Sequence, residues 1–275
     1  MDMITLKDLT PDNVYEIFST ADDMRQGRHS SFLRGKTVVM FFPASSIRTR
    51  ISFEKGIYLM GGQCILFPSE TLDKKEDIKD VCGYLDNWAD CIIVRHKSDK
   101  LVTALAEHLN APVINAMTDT CHPCEILTDM YSLSKIRNNF TKDSFLFVGK
   151  RGNIGLTWKD AADVMGFSLE QCCPAGYELP GVKTYSNIYD AISGKDIICT
   201  DSLPSDAVAD FKSCQVTLDA LEKANKGAVL NPCPPFFRGE EISADAADSE
   251  YFVGYDFKES LLEVQQAIIY YCMSR

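Results

Sequence analysis

Ser46, Arg48, Thr49 and Arg50 place two hydroxyls and two guanidiniums within five residues, in the run from Phe41 to Gly56. The run opens on an apolar stretch ending at Phe42 and continues into a helical pattern that begins near Arg48 or Thr49. A helix N-terminus offers unpaired N–H groups and partial positive charge, and arginine matches phosphate oxygens in pairs. The chemistry on offer is the holding of a small anion. An ordinary helix capped by Ser46, with its arginines in solvent, is the alternative.

Two further polar groups follow apolar runs. The run Cys91 to Val94 leads directly into Arg95 and His96, and a loop after Pro112 to Asn115 leads to His122 at a second helix start. A lone histidine is more often structural. Three donor-bearing positions at the ends of neighbouring strands would aim at one sheet edge, where ligands bind in open α/β sheets.

These positions require strands that alternate with helices. Thr37 to Phe42 reads as a strand, followed by a helix with Phe53, Ile57 and Met60 on one face. Cys91 to Val94 and Pro112 to Asn115 are the next strands, and Pro123 suits the first position of a helix facing inward through Ile126, Met130 and Leu133. Ser144 to Gly149, Asp196 to Thr200 and Ala228 to Asn231 continue the alternation. Such an order means an α/β fold of two domains, each a parallel sheet flanked by helices. The polar stretch Arg137 to Asp143 is the expected boundary, giving domains over 1–136 and 141–256. A last helix, within 257–275 and carrying Leu261, Val264, Ile268 and Tyr271, is expected to pack back on the first domain.

Composition narrows the function. The 275 residues suit two cores, and 45% hydrophobic with 24% charged residues is globular usage. A net charge of −11 argues against nucleic acid as a partner. No apolar run reaches membrane-spanning length, and the start lacks a signal peptide's basic-then-apolar order. Eleven cysteines, an odd count, read as reduced thiols in a cytoplasmic protein.

The chain resembles the aspartate and ornithine carbamoyltransferase family. Phe42 to Glu54 is similar to that family's Phe-x-x-x-Ser-Thr-Arg-Thr-Arg-x-Ser-Phe-Glu loop, and Val94 to His96 to its second arginine site. His122 to Asp129 resembles His-Pro-x-Gln-x-Leu-x-Asp, and Asn231 to Ile242 resembles the ornithine branch's His-Cys-Leu-Pro-Pro-x-x-Arg-Gly-x-Glu-Val. The resemblance implies that carbamoyl phosphate is bound by Ser46, Ile47, Arg48, Thr49, Arg95, His122 and Glu125, with Thr71 and Lys74 supplied by a neighbouring subunit of a trimer. Arg48, Arg95 and His122 would be the catalytic groups, Arg95 and His122 by donating to the carbonyl oxygen as it gains charge. The acceptor, a small amino acid, would meet Asn153, Asp201, Ser205, Asp206 and Cys233. L-ornithine is the expected acceptor, because a carboxylate takes an ammonium and no basic cluster awaits a second substrate carboxylate. No metal or cofactor is implied.

The sequence departs from the pattern in places. Ile47 replaces a Thr, Glu125 a Gln and Asp206 a Met; Pro232 takes the family's cysteine place with Cys233 one residue on; Leu261 stands where the ornithine branch has an arginine. A carboxylate at 125 can accept but cannot donate unless protonated. These changes gather around the carbamoyl group and the acceptor, so an altered amine acceptor, or a silent relative that only binds carbamoyl phosphate, is the alternative outcome. Two remote readings remain. Gly149-x-x-Gly152-x-x-Gly155, with Glu170 near a ribose-binding offset, has the look of a dinucleotide fingerprint of an oxidoreductase. Cys121-His122-Pro123-Cys124 has the spacing of a thiol exchanger, although no second such pair exists for a zinc site.

Overall fold

The computed structural model describes residues 1–275, which form two compact units, Met1–Ser132 with Lys258–Arg275, and Leu133–Phe257. In chain order the strands are β1 (Thr37–Phe41), β2 (Gln63–Phe67), β3 (Cys91–Arg95), β4 (Val113–Met117), β5 (Ser144–Val148), β6 (Ser168–Cys172), β7 (Lys183–Tyr185), β8 (Ile197–Thr200) and β9 (Val229–Pro232). The helices are α1 (Pro11–Arg25), α2 (Arg48–Leu59), α3 (Ile78–Leu85), α4 (Asp99–His108), α5 (Pro123–Ile136), α6 (Asn153–Met165), α7 (Ile188–Ala191), α8 (Leu218–Leu221), α9 (Ala244–Ala247) and α10 (Leu261–Met273).

The first unit holds a four-stranded sheet in the order β2-β1-β3-β4, all parallel. Its central strands are continuous apolar runs because helices cover both faces: Val38, Met40, Ile92, Ile93, Val113 and Ile114 are all buried. The helix after β1 buries Phe53, Ile57 and Met60, the face that the i, i+4, i+7 spacing marks. Along α10, Val264, Ile268 and Tyr271 are buried, and the helix packs against α1 and α2. The side-chain amide of Gln266 donates to the Gly56 carbonyl of α2.

The second unit holds a five-stranded parallel sheet, β7-β6-β5-β8-β9. Phe145 of β5 stacks on Phe167 with centroids 4.2 Å apart, and Trp158 of α6 tilts against Phe145. Gly155 in the same helix is required by this packing. A Cβ there would lie 2.6 Å from the ring of Phe147, which is itself fully buried and cannot yield. Pro232 is tolerated in a strand because β9 is a sheet edge. The polar stretch after α5 folds into a short 3-10 turn, Phe140–Lys142, where Arg137 donates to Asp143 at 2.7 Å and to the Gly227 carbonyl at 2.9 Å.

Candidate active site

The first unit gathers its polar residues at the carboxyl ends of three adjacent strands. β1 runs into the loop before α2, β3 into Arg95, and β4 into the turn that carries His122. Arg95 reaches back across the sheet edge, with Nη1 3.3 Å from the Ser46 hydroxyl and 3.4 Å from that of Thr49. Between Val94 and Arg95 the register with β4 slips by one residue, an irregularity of the kind that re-aims a side chain at a sheet end. Both hydrogen bonds are at the long end of the range, as in sites that tighten only when a ligand arrives.

Ser46 does not cap α2. The residue in the N-cap position is Ile47, and no side chain bonds the first turn. Ile47 is 65% exposed, whereas Ser46 and Thr49 are buried with their hydroxyls turned to Arg95. The ordinary capped helix is therefore not what the chain builds. It leaves a helix N-terminus open beside two hydroxyls and a guanidinium, with Arg48 exposed on the first turn.

The turn bearing His122 is closed on itself. The Thr118 N–H donates to the Cys121 carbonyl at 2.7 Å, and the Cys121 N–H to the Thr118 hydroxyl at 3.1 Å. Pro123 then opens α5 at its first position. Burial pushes the His122 imidazole down to about 4; Glu125 opposes that effect, while Arg95 and Lys258 reinforce it. The ring is thus neutral at ordinary pH and acts as a hydrogen-bonding group without a charge.

Glu125 and Asp129 are buried one turn apart on α5. Both bond the ammonium of Lys258, which stands 2.8 Å from Glu125 Oε1 and also contacts Asp129 Oδ1. Burial alone would raise the Glu125 carboxyl; the Lys258 ammonium overrides it and holds the group below its usual value, with Arg48 helping. Leu261, the first residue of α10, is buried and contributes no donor. Thr71 is half-buried in the turn Ser69–Leu72 after β2, and Lys74 is exposed. His96 holds Asp73, between Leu72 and Lys74, its Nε2 lying 3.1 Å from Asp73 Oδ1.

The second unit repeats the arrangement at the ends of β5, β8 and β9. Gly152 precedes α6, Asn153 is its first residue, and Asp201 follows β8 with a carboxylate oxygen 3.7 Å from where a Gly152 Cβ would stand. Asn153 Oδ1 accepts from the Ile154 N–H, and Asp201 Oδ1 from the Ser202 N–H, both at 2.9 Å. Cys233 is buried beyond β9, its N–H bonded to the Thr200 carbonyl at 3.0 Å. Ser205 and Asp206, by contrast, are exposed on the turn after Asp201. Burial raises the Asp201 carboxyl to about 6, against the pull of its Ser202 hydrogen bond and of Lys150.

Glu241 also belongs to this unit's chemistry, although sequence reasoning did not single it out. Its Oε1 accepts from the Phe237 N–H at 2.7 Å, while Oε2 is buried with no hydrogen-bond partner. Burial raises this carboxyl to about 7, with Glu240 and Asp201 adding to the effect. Lys258 was likewise missed. Nothing in its local sequence distinguishes it from a surface lysine, since its carboxylate partners lie far away along the chain.

The remote readings lose their supports. Glu170 is committed to ion pairs with Lys195 and Lys183 on the sheet, so it is not a free ribose ligand. Cys121 and Cys124 are buried, and burial drives the Cys124 thiol well above its ordinary value, the opposite of an exchange nucleophile. None of the eleven cysteines is joined in a disulfide.

One α/β unit thus carries hydroxyls, guanidiniums and an open helix N-terminus at its sheet edge, and the other carries carboxylates. Two family models match the chain: the aspartate/ornithine carbamoyltransferase carbamoyl-P binding domain over residues 1–135, and the Asp/Orn binding domain over residues 142–272. An ornithine carbamoyltransferase of Hydrogenovibrio crunogenus is 33% identical, over 99% of this chain and 98% of its own. The solved structure of ornithine carbamoyltransferase from Pyrococcus furiosus superposes with a TM-score of 0.92 at 27% identity, covering 99% of this chain and 97% of that one. The Burkholderia thailandensis enzyme gives 0.91 at 26%, covering 99% and 98%. The chain belongs to the aspartate/ornithine carbamoyltransferase family, and it is a carbamoyltransferase. No helix is long and apolar enough to cross a membrane.

The buried Glu241 carboxyl makes a stability prediction. Its folded value lies above its unfolded one, so the protonated form contributes stability below about pH 4 that is lost as pH rises through about 7. Glu241→Gln is therefore expected to stabilise the protein by about 1–2 kcal/mol at pH 8 and by nothing measurable near pH 4. Thermal melts of both proteins at the two pH values check this; equal shifts at both would refute it.

Proposed function

We propose that the protein transfers the carbamoyl group of carbamoyl phosphate to the side-chain amine of L-ornithine, giving L-citrulline and phosphate. The observation that carries the donor half is the convergence of Arg95 on Ser46 and Thr49 beside the uncapped N-terminus of α2. Phosphate oxygens would take the N–H groups of the α2 first turn, the two hydroxyls and the Arg48 guanidinium. The carbonyl oxygen would take hydrogen bonds from Arg95 and from the neutral ring of His122.

In the reaction the neutral amine nitrogen attacks the carbonyl carbon, and a C–N bond forms. Negative charge gathers on the carbonyl oxygen, where Arg95 and His122 stabilise it more than they stabilise the ground state. The C–O bond to phosphorus then breaks, and the electron pair leaves with phosphate. The proton shed by the nitrogen passes to the departing phosphate, so no protein base is needed.

The acceptor half rests on charge. The half-buried Asp201 would take the α-ammonium, and Glu241 adds a second carboxyl within electrostatic reach. A substrate with a second carboxylate, such as aspartate, would face both. Ornithine presents a cation there instead. Another diamino acid satisfies the same logic and is the reading to set against it, because Asp206, five residues after Asp201, adds an exposed carboxylate where the family pattern has a Met. We place the reaction in the cytoplasm.

Citrulline formation from carbamoyl phosphate and L-ornithine, followed by colorimetry, is the direct test. Turnover with ornithine, about 10²–10³ slower in kcat for His122→Ala, is expected. Turnover only with a different amine would move the acceptor assignment, and none with any amine would leave a binding protein.

The Asp201 value adds a pH signature. Because the attacking amine must be neutral, log kcat/KM for ornithine should climb with pH at a slope of about one. Below about pH 6 Asp201 becomes protonated and cannot hold the ammonium, so the slope should steepen to about two. A profile without that break would remove Asp201 from the acceptor site.

We further propose a homotrimer in which Thr71 and Lys74 serve a neighbour's site. Ile47, Ile51 and Tyr58 form an exposed stripe along α2, and Ile65 and Phe67 are exposed on edge strand β2. Apolar surface of this kind marks an interface. Sedimentation should give a trimer for the wild type and a largely inactive monomer for Tyr58→Glu. A fully active monomeric wild type would end the proposal.

A further inference from the structure

Lys258 stands in a one-turn 3-10 helix, Asp256–Lys258, just before α10, and is largely buried. Its ammonium is fixed from two sides, by Glu125 Oε1 at 2.8 Å and by Asp129 Oδ1. The two carboxylates are four residues apart on α5, directly after the turn that aims His122, and both are almost fully buried. Glu125 also lies within electrostatic reach of His122 and of Arg48, and His122 within reach of Arg95. A buried lysine locked between two carboxylates thus abuts the groups assigned to carbamoyl phosphate.

The geometry has a chemical consequence. A carbamoyl group presents an acceptor, its carbonyl oxygen, and a donor, its NH2. Arg95 and His122 supply donors only for the first. Glu125 is the nearby group able to accept from the second, and it accepts with full strength only as a carboxylate. Its Oε1 is held by Lys258, which leaves Oε2 for a ligand.

Resting on the carbamoyl phosphate reading above, we propose that Lys258 is a positioning residue of the donor site, fixing the Glu125 carboxylate so that its Oε2 accepts from the carbamoyl NH2. Asp129 serves to fix Lys258 in turn. The pair distinguishes carbamoyl phosphate from phosphate, because inorganic phosphate has no NH2 for Glu125 to accept from. A phosphate-only ligand is served by Ser46, Arg48 and Thr49 regardless of what occupies position 258.

The test is calorimetric titration of the intact protein with carbamoyl phosphate and, separately, with inorganic phosphate. For Lys258→Met, carbamoyl phosphate affinity is expected to fall about tenfold, with phosphate affinity within about twofold of wild type. Lys258→Arg should recover most of the loss. Glu125→Leu, which keeps Lys258 paired with Asp129 and guards against a misfolded lysine variant, should show the same selective fall. In turnover, KM for carbamoyl phosphate should rise while KM for the acceptor holds. Equal losses for both ligands, or no loss for either, would overturn the role of Lys258 and leave the donor site standing. A wild-type protein that binds neither ligand would overturn the donor site itself.

Discussion

A parallel sheet covered by helices on both faces can meet a ligand only at its edges, and the functional chemistry of this chain follows from that constraint. Side chains in the middle of β1 and β3 are apolar, and the one polar side chain in the middle of β4, Asn115, is buried with its amide donating to the Ile4 carbonyl. The groups open to a ligand gather where the strands end. Since the strands are parallel, all the carboxyl ends point one way, and residues as distant in sequence as Ser46, Arg95 and His122 are delivered to one edge. The Arg95 contacts with Ser46 and Thr49 exist because β1 and β3 are hydrogen-bonded neighbours. The second unit follows the same rule with Asn153, Asp201 and Cys233 after β5, β8 and β9.

That rule also explains what could be read without coordinates. Continuous apolar runs announced β1, β3, β4, β5, β8 and β9, and Pro123 marked the start of α5. β2, β6 and β7 left no such signal. β2 is an edge strand whose residues alternate between exposed and half-buried; β6 opens on exposed Ser168 and carries Glu170; β7 is three residues at the opposite edge. Strands partly wetted need little apolar character, so their sequences resemble loops.

Among the site residues the same distinction holds. The loop carrying Ser46, Arg48 and Thr49 stood out as a candidate anion site because its residues are contiguous, and the motif survives the change to Ile47. The capping reading of Ser46 was not decidable from types alone, because a hydroxyl that caps a helix and one that meets a guanidinium look identical in sequence. Glu125 could be seen as a departure but not understood, because the residue that makes a buried carboxylate sustainable lies 133 positions away in a segment of ordinary composition. Asp206, conspicuous as a new charge, is exposed, whereas Glu241, inconspicuous in an acidic run, is the carboxyl that burial perturbs. Sequence reports charge; only packing reports what charge costs.

The two units handle that cost in opposite ways. In the first, Lys258 bonds both carboxylates, Glu125 and Asp129, while Arg48 lies within electrostatic reach of Glu125 and Arg95 within reach of a histidine kept neutral by burial. The lysine's charge is taken up by its two partners, which leaves the guanidiniums as the positive charge available to an anion. In the second, Lys150 is the cation acting on Asp201, and burial raises Asp201 to about 6 and Glu241 to about 7 against the pull of their backbone hydrogen bonds. Near neutral pH Glu241 is partly protonated and Asp201 largely ionised, and a cation close to them favours the ionised form of both. On the proposed function, a ligand ammonium would offset the burial penalty of these carboxyls by pairing with them, whereas an extra ligand carboxylate would add to it. Discrimination between a diamino acid and an acidic one would then need no residue dedicated to rejection.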